Sequence, residues 1–242
     1  MKPVQMFKEY LQKDNKNLFE IFNVKNLNID WKNVSILDYG CNQGNYINSA
    51  QDFINLTKYT GVDITQLSIN TARALHPGIN FIHYNKWHQA YNPLGDKTLK
   101  INDVLDQTFD VIICYSIFTH TTIEQTKNEL ENLNAMLNPG GIILFTIWRK
   151  EMFEPYSKWI SERFDNVSLI DFDLLNYDKM VYWLDTSIII TDVFNFETTS
   201  YNSFDSYYNL EWFKEEIKPA IHLNIPENQN QDLFYFRKNN YV

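Results

Sequence analysis

Ile36-Leu37-Asp38-Tyr39-Gly40-Cys41-Asn42-Gln43-Gly44-Asn45-Tyr46 decides how this chain folds. Val34 to Asp38 is a short apolar run that ends in a carboxylate, and a loop holding two glycines follows it directly. Beyond the loop, Tyr46, Ile47, Ala50, Phe53, Ile54 and Leu56 recur at helical spacing, so the stretch reads as strand, turn and helix. Glycine in such a turn lets a ligand approach the backbone closely, and the helix N-terminus presents N–H groups without intrahelical partners. A dinucleotide site of the G-x-G-x-x-G kind is excluded: counting from Gly40, Asn42 and Asn45 stand where the second and third glycines belong. No Gly-Lys-Ser/Thr phosphate loop occurs either.

The same alternation repeats downstream. Tyr59 to Val62 reads as a strand ending at Asp63, and Thr65 as the N-cap of a helix running to about Leu75, where His76-Pro77-Gly78 stops it. Ile79 to Tyr84 is a third strand. Phe109 to Tyr115 is a fourth, apolar throughout, as expected of a strand covered on both faces. Thr121 and Glu124 match a capping box opening a helix with Ile123, Leu130, Leu133 and Leu137 on it. Asn138-Pro139-Gly140-Gly141 ends that helix, and Ile142 to Trp148 is a fifth strand. This order predicts a doubly wound α/β sheet, mostly parallel, whose strand C-terminal ends form the ligand-binding edge.

Outside residues 31–148 the pattern changes. Residues 1–30 read as a helical lead-in, with Val4 to Leu11 and Leu18 to Phe22 separated by a polar DNKN break. Residues 149–208 form an insertion with short β-like runs at Val181 to Leu184, Ser187 to Ile190 and Val193 to Phe196. Residues 209–242 resume the core: a helix from Leu210 to Ile217, then strands from Ala220 to Ile225 and Leu233 to Phe236. The segment PENQNQD between those strands is too short for a helical crossover, so they are expected to pair antiparallel.

The 242 residues carry 21 Lys and Arg against 30 Asp and Glu, a formal net charge of −9. Most of it is local: residues 149–213 hold 12 acidic and 5 basic side chains, and 16 of the chain's 38 aromatic residues. Acidity there disfavours a phosphate backbone as partner, and an anionic acceptor would need Arg149, Lys150 or Lys179 to meet it. Cys41 and Cys114 cannot build a disulfide framework and read as small buried residues. His83 and His88 lack Cys or carboxylate neighbours at ligand spacing, so no metal site is expected. The N-terminal segment has no apolar signal region and no 18-residue apolar run occurs, which points to a soluble cytoplasmic protein without membrane contact.

The opening stretch resembles the nucleotide loop D-x-G-x-G-x-G of class I S-adenosylmethionine-dependent methyltransferases. The resemblance extends to Gly61-Val62-Asp63, to Phe109-Asp110-Val111-Ile112-Ile113 with Ser116 and His120, and to Leu137-Asn138-Pro139-Gly140-Gly141. It covers roughly residues 33–148 in the family's order, and the closing helix and strand pair fit the family's C-terminal end. It implies a seven-stranded, Rossmann-like sheet with an antiparallel last strand, and S-adenosylmethionine as cofactor with S-adenosylhomocysteine as product. It further implies that Asp38 accepts from the cofactor's amino end or orients the loop, and that Gly40 and Gly44 allow close backbone approach. Asp63 would hold the two ribose hydroxyls, Asn85 would read the adenine, and Cys41, Tyr46, Ile64 and Ser116 would line the cofactor. Asn42 departs from the family's glycine, although Asn tolerates left-handed backbone better than most residues.

Methyl transfer asks the protein chiefly to position the acceptor and exclude water. His120, at the ligand edge after the fourth strand, is the expected base for a hydroxyl or amine acceptor, and it is equally suited to capping or packing. Trp148, Tyr156, Tyr182, Trp183 and Tyr201 are expected to contact the acceptor, or else to fill the insertion's own core. The insertion itself reads as an acceptor cap, an added packing layer or a homodimer interface. A small-molecule O- or N-methyltransferase, acting on a sugar or other surface-glycan precursor, is the leading expectation. An RNA or protein methyltransferase and a non-catalytic cofactor-binding module stand beside it.

Overall fold

A computed structural model describes residues 18–149, 180–191, 198–208, 210–218, 220–223 and 231–238. Its strands are β1 (Ile36–Tyr39), β2 (Tyr59–Asp63), β3 (Asn80–His83), β4 (Phe109–Cys114), β5 (Leu137–Arg149), β6 (Met180–Thr191), β7 (Thr198–Tyr208), β8 (Ile221–Leu223) and β9 (Asp232–Arg237). The first five pair in parallel in the order β3-β2-β1-β4-β5. Antiparallel β9 lies beside β5, and β8 beside β9, completing a seven-stranded, mostly parallel sheet with the antiparallel closing pair expected from the short connection.

Alternation along the strands divides the core into two layers. Ile36, Val111, Ile113, Ile142 and Leu144 face one side, together with α1 (Leu18–Phe22), α2 (Asn45–Ala50) and α3 (Gln66–Leu75). Leu37, Ile112, Cys114, Ile143 and Phe145 face the other, against α4 (Ile123–Ala135) and α5 (Leu210–Glu216). A period of two within near-continuous apolar strands is what a sheet covered on both faces produces.

β5 is the longest of the parallel strands, and it forks. Ile142 to Ile147 pair with β9, whereas Trp148 and Arg149, past the reach of β9, pair in parallel with Tyr207 and Tyr208 of β7. β6 and β7 form an antiparallel hairpin with a register shift between Asp185 and Ile188. The hairpin therefore joins the sheet at its ligand edge through two backbone pairs.

Several local expectations need correction. The capping box is Thr122 with Gln125, one residue later than Thr121 with Glu124. Thr121 is displaced from that role because its hydroxyl is buried against Thr126. Thr65 occupies the N-cap position of α3, but its side chain makes no cap bond. The helix expected through Leu56 ends at Ala50, whose carbonyl takes both Phe53 and Ile54 N–H in a tightened last turn, so helical spacing continues without helix. Asn138 to Gly141 lie inside β5 rather than before it, as an irregularity opposite Asp110 where the pairing jumps from Leu137 to Ile142. The runs at 181–184 and 187–190 merge into β6, and β7 follows where no strand was expected. The helix expected from Val4 to Leu11 and the run from Val193 to Phe196 lie outside the described residues. Among the described residues no helix is long and apolar enough to cross a membrane.

Candidate active site

The loop after β1 is closed almost entirely by its own backbone and that of β2. Gly40 and Cys41 donate to the Val62 carbonyl at 2.8 and 2.9 Å, and Gly44 and Asn45 donate to the Cys41 carbonyl at 2.9 and 3.3 Å. Gly40, Asn42 and Gly44 adopt φ of 83°, 50° and 83°, three left-handed residues within five. A Cβ on Gly40 would stand 1.9 Å from Ile117 Cδ1, so this position demands glycine for space as well as for conformation. Asn42 holds its left-handed turn through its own bonds: its N–H donates to Asp63 Oδ2 at 2.9 Å, and its side-chain oxygen accepts from Ser68 at 3.1 Å. That pairing accounts for Asn where a glycine was expected.

Two carboxylates flank the loop. Asp63, at the end of β2, accepts one backbone N–H on each oxygen, from Asn42 on Oδ2 and from Thr65 on Oδ1 at 2.7 Å. The Thr65 side chain also contributes a hydrogen bond, and the carboxylate's remaining acceptor capacity is what a ligand hydroxyl could meet. Burial raises its pKa above the ordinary carboxylate value, against the two backbone bonds that oppose the shift. Asp38 is 3% exposed and accepts the Tyr59 hydroxyl at 2.5 Å. Burial pushes its carboxyl up to about 7, with a further rise from the Asp63 charge and an opposing effect of the Tyr59 bond. Nearby, on α2, the Tyr46 hydroxyl is buried, with no hydrogen-bond partner among the described residues. Asp38 also contributes to raising that hydroxyl's pKa, behind burial, which places the two groups within electrostatic reach.

The segment after β4 forms the second half of the site. Ser116 has φ of 56°. Its N–H donates to Thr146 Oγ1 at 2.9 Å, the Thr146 hydroxyl donates to Gln231, and the Gln231 side chain donates back to Ser116 Oγ at 3.1 Å. Ser116 Oγ also shares a hydrogen bond with Thr119 at 2.9 Å. This closed ring engages the groups of Ser116 that were expected to line the cofactor. His120 lies four residues on, its ring edge-on to Tyr91 at 5.3 Å and to Trp148 at 5.7 Å, with Nδ1 3.2 Å from the Tyr91 hydroxyl. Its neighbours are fastened to the hairpin. Thr119 O accepts the Ser206 N–H at 2.7 Å, and Thr121 O accepts both the Ser206 and Tyr208 hydroxyls at 2.6 Å.

The remaining expected residues are distributed unevenly. Ile64 is half-buried against the α4 layer, and its carbonyl meets His83 Nε2 at 3.1 Å. Asn85 is exposed, and its side-chain oxygen accepts from Asn92 at 3.1 Å, tying a loop together. Cys41 and Cys114 are buried in opposite layers with their thiols pushed far up by burial, so neither is a nucleophile. Tyr182, Trp183 and Tyr201 lie on β6 and β7, in register with Ser206, Asp205 and Ile188. Tyr156 lies outside the described residues. Among those residues, no group of three or more His, Cys, Asp or Glu could hold a metal.

Four participants went unread in the sequence: Tyr59, Tyr91, Thr146 and Gln231. Tyr59 alone had a signal, since it faces Asp38's layer one strand away. His88, without ligand-spaced neighbours in the sequence, packs on this site instead, its ring stacked on Tyr91 at 4.9 Å. Burial lowers its pKa to about 4, reinforced by His120 and opposed by a hydrogen bond to the His120 carbonyl.

Residues 37–143 match a family described as a methyltransferase domain. A tRNA U34 carboxymethyltransferase of Campylobacter curvus is 34% identical over 116 residues, which are 48% of this chain and 34% of that enzyme. A ribosomal RNA large subunit methyltransferase E of Methanococcus vannielii is 26% identical over 170 residues, 65% of this chain and 60% of that enzyme. The chain thus spans less than two thirds of the length of these curated relatives. Solved methyltransferase structures share the fold along nearly the whole chain. The sugar N-methyltransferase KedS8 of Streptoalloteichus superposes with a TM-score of 0.59 at 13% identity, covering 98% of this chain and 92% of that one.

Proposed function

We propose, on the premise that residues 37–143 form a class I S-adenosylmethionine-dependent methyltransferase domain, that this protein methylates an oxygen or nitrogen of a small-molecule acceptor in the cytoplasm. A sugar or another precursor of a surface glycan is the acceptor class. The observation that carries the reading is the abutment of the two loops: Ile117, three residues before His120, packs on the α-carbon of Gly40 in the nucleotide loop. A cofactor cradle and a titratable side chain therefore share one edge of the sheet.

The residues fit the cofactor. The carboxyl of Asp38, near the Tyr46 hydroxyl, suits the cofactor's ammonium and carboxylate end, and the remaining acceptor capacity of the Asp63 carboxylate suits its ribose diol. When bound, S-adenosylmethionine supplies a methyl group on a positively charged sulfur. His120 takes the proton from the acceptor hydroxyl or amine. Tyr91 and Trp148 wall the imidazole on two sides, excluding water and offering aromatic edges and faces to the acceptor. The hairpin β6–β7, as part of the insertion, caps the acceptor and sets its choice.

RNA is the second reading, favoured by the two curated relatives, whose names place their action on tRNA and ribosomal RNA. The acidic composition of residues 149–213 argues against it, since a local excess of negative charge disfavours a phosphate backbone. Calorimetry with S-adenosylhomocysteine tests the cofactor site: binding is expected, and Asp63→Ala should weaken it tenfold or more, about 1.4 kcal/mol. No binding by the wild type would leave only a fold without the activity. Transfer of labelled methyl to amino sugars or nucleotide-linked sugars supports the small-molecule reading, and label in bulk tRNA or ribosomal RNA replaces it with the second.

A further inference from the structure

Successive carbonyls of the loop after β4 are held by two different parts of the chain. Those of Thr119 and Thr121 accept from Ser206 and Tyr208 of the hairpin, whereas the His120 carbonyl between them meets His88 Nε2 at 2.7 Å. His88 belongs to an excursion between β3 and β4, closed where His88 and Asn92 exchange backbone hydrogen bonds at 3.0 and 3.1 Å. Further ties run from this excursion to α4. The Gln125 side chain donates to Gln89 at 3.0 Å while its oxygen caps the helix start, and Lys86 lies 3.9 Å from Glu129 one turn on. His88 is buried, and its two nitrogens face groups whose roles cannot be exchanged. Nδ1 faces the N–H groups of Ala90 and Tyr91 at 3.2 and 3.1 Å, which can only donate, so Nδ1 accepts. The partner of Nε2 is a carbonyl oxygen, which can only accept, so Nε2 carries the proton. Backbone partners at both ends thus define a neutral imidazole of one tautomer, in keeping with the low pKa that burial gives it.

We infer that His88 is a positioning residue of the acceptor site: one end of its ring shapes the turn that carries Tyr91, and the other fixes that turn to the backbone of His120. The near end acts as an Asx-turn oxygen does, accepting from the residues two and three ahead. The far end reaches across 32 residues of chain. No torsion lies between the two nitrogens of a planar ring, so the span between its anchor points is fixed once both bonds are made. The consequence is seen in the side chains: Tyr91 stacks on His88 at 4.9 Å and stands edge-on to His120 at 5.3 Å. The excursion is thereby a second wall of the acceptor site, tied to the loop after β4 independently of the hairpin. This inference rests on the reading that places the acceptor beside His120.

Two substitutions separate the ends of the ring. His88→Asn keeps an oxygen near the place of Nδ1 and loses the reach to His120, whereas His88→Gln keeps an N–H near the place of Nε2 and loses the near acceptor. Nuclear magnetic resonance on the full-length 15N,13C-labelled protein, with S-adenosylhomocysteine at about pH 8, reads both ends. Long-range nitrogen–proton spectra, with the ring assigned through its own side-chain carbons, should show His88 as the Nε2–H form. The carbonyl carbon shift of His120 should move in His88→Asn and stay in His88→Gln. Amide exchange at Ala90 and Tyr91 should quicken about tenfold in His88→Gln and hold within about threefold in His88→Asn. The cross-peak between the Tyr91 and His120 rings should weaken in both variants, with S-adenosylhomocysteine affinity changed less than about twofold. An Nδ1–H ring in the wild type, a His120 carbonyl indifferent to His88→Asn, or a ring cross-peak undiminished in both variants would overturn the inference. Should the variants fail to fold, the wild-type tautomer decides it. The expected pattern in a protein that binds no S-adenosylhomocysteine would sink the methyltransferase reading and leave the coupling of Tyr91 to His120 intact.

Discussion

The loop from Gly40 to Gly44 and the loop from Ser116 to Thr121 face the same sheet edge, and they are held by different means. The first is bonded to itself, to β2 and, through the Asn42 side chain, to Ser68 at the start of α3, 26 residues away. The second is bonded to Thr146, His88, Ser206, Tyr208 and Gln231, at separations of 30 to 115 residues. One is a local device that any chain with its short motif can form. The other is assembled from the β3–β4 excursion, the hairpin and the closing strand, so it changes whenever any of these changes. Under the proposed function, such a division would let cofactor binding persist while the acceptor side diverges.

The largest expected effect breaks the division where the loops touch. Gly40→Ala places a methyl group at a left-handed position and against Ile117, at a combined cost of about 2–5 kcal/mol. Titration calorimetry should find cofactor affinity reduced at least a hundredfold, on the order of 2.7 kcal/mol. Normal affinity would show that Ile117 yields and that the two loops do not constrain each other.

Next is the buried carboxyl of the local loop. Asp38 binds its proton more tightly in the folded chain, with a pKa of about 7, than at its ordinary value of 3.8. Its contribution therefore favours the cofactor-free fold below about pH 4 and is lost as pH rises from about 4 to about 7. Asp38→Asn should raise the melting temperature of the cofactor-free protein at pH 8, yet weaken S-adenosylmethionine binding about tenfold, or about 1.4 kcal/mol. In the wild type, an ammonium beside the carboxyl favours its ionised form, so binding near neutral pH should release a proton. Calorimetry in buffers of different ionisation enthalpy measures that release, and its absence would separate Asp38 from the ammonium.

The smallest effect sharpens the comparison. Ser206→Ala removes one of two hydroxyls on the Thr121 carbonyl, leaving that of Tyr208, at a cost of about 1 kcal/mol in thermal stability. Affinity for S-adenosylhomocysteine should stay unchanged. A parallel loss of affinity would mean that the distant supports reach the cofactor loop after all.

This contrast also explains what was legible in the sequence. The strand, turn and helix that carry Asp38, Gly40 and Gly44, and the strand that ends at Asp63, were legible because each is encoded within a few residues. The parallel sheet and its closing antiparallel pair followed from apolar runs and connection lengths for the same reason. Tyr91 gave no signal, because it sits in an irregular excursion whose meeting with His120, 29 residues further along, depends on the path of the chain between them. Gln231 meets Ser116 only because β9 returns beside β5. The capping box was misplaced by one residue because Thr121 and Thr122 are chemically alike, and only tertiary burial of the first distinguishes them.

The fork in β5 has a consequence for how such a protein diverges over time. Two backbone pairings, Trp148 with Tyr207 and Arg149 with Tyr208, join the hairpin to the parent sheet, and backbone pairing is indifferent to side-chain identity. Side-chain demands enter at Ser206 and Tyr208, both fully buried, with Tyr208 packed on Phe213 in the core. If the hairpin caps the acceptor as proposed, a lineage could exchange it as an interchangeable part, keeping the anchoring groups at Ser206 and Tyr208, and acquire a new acceptor without refounding the fold.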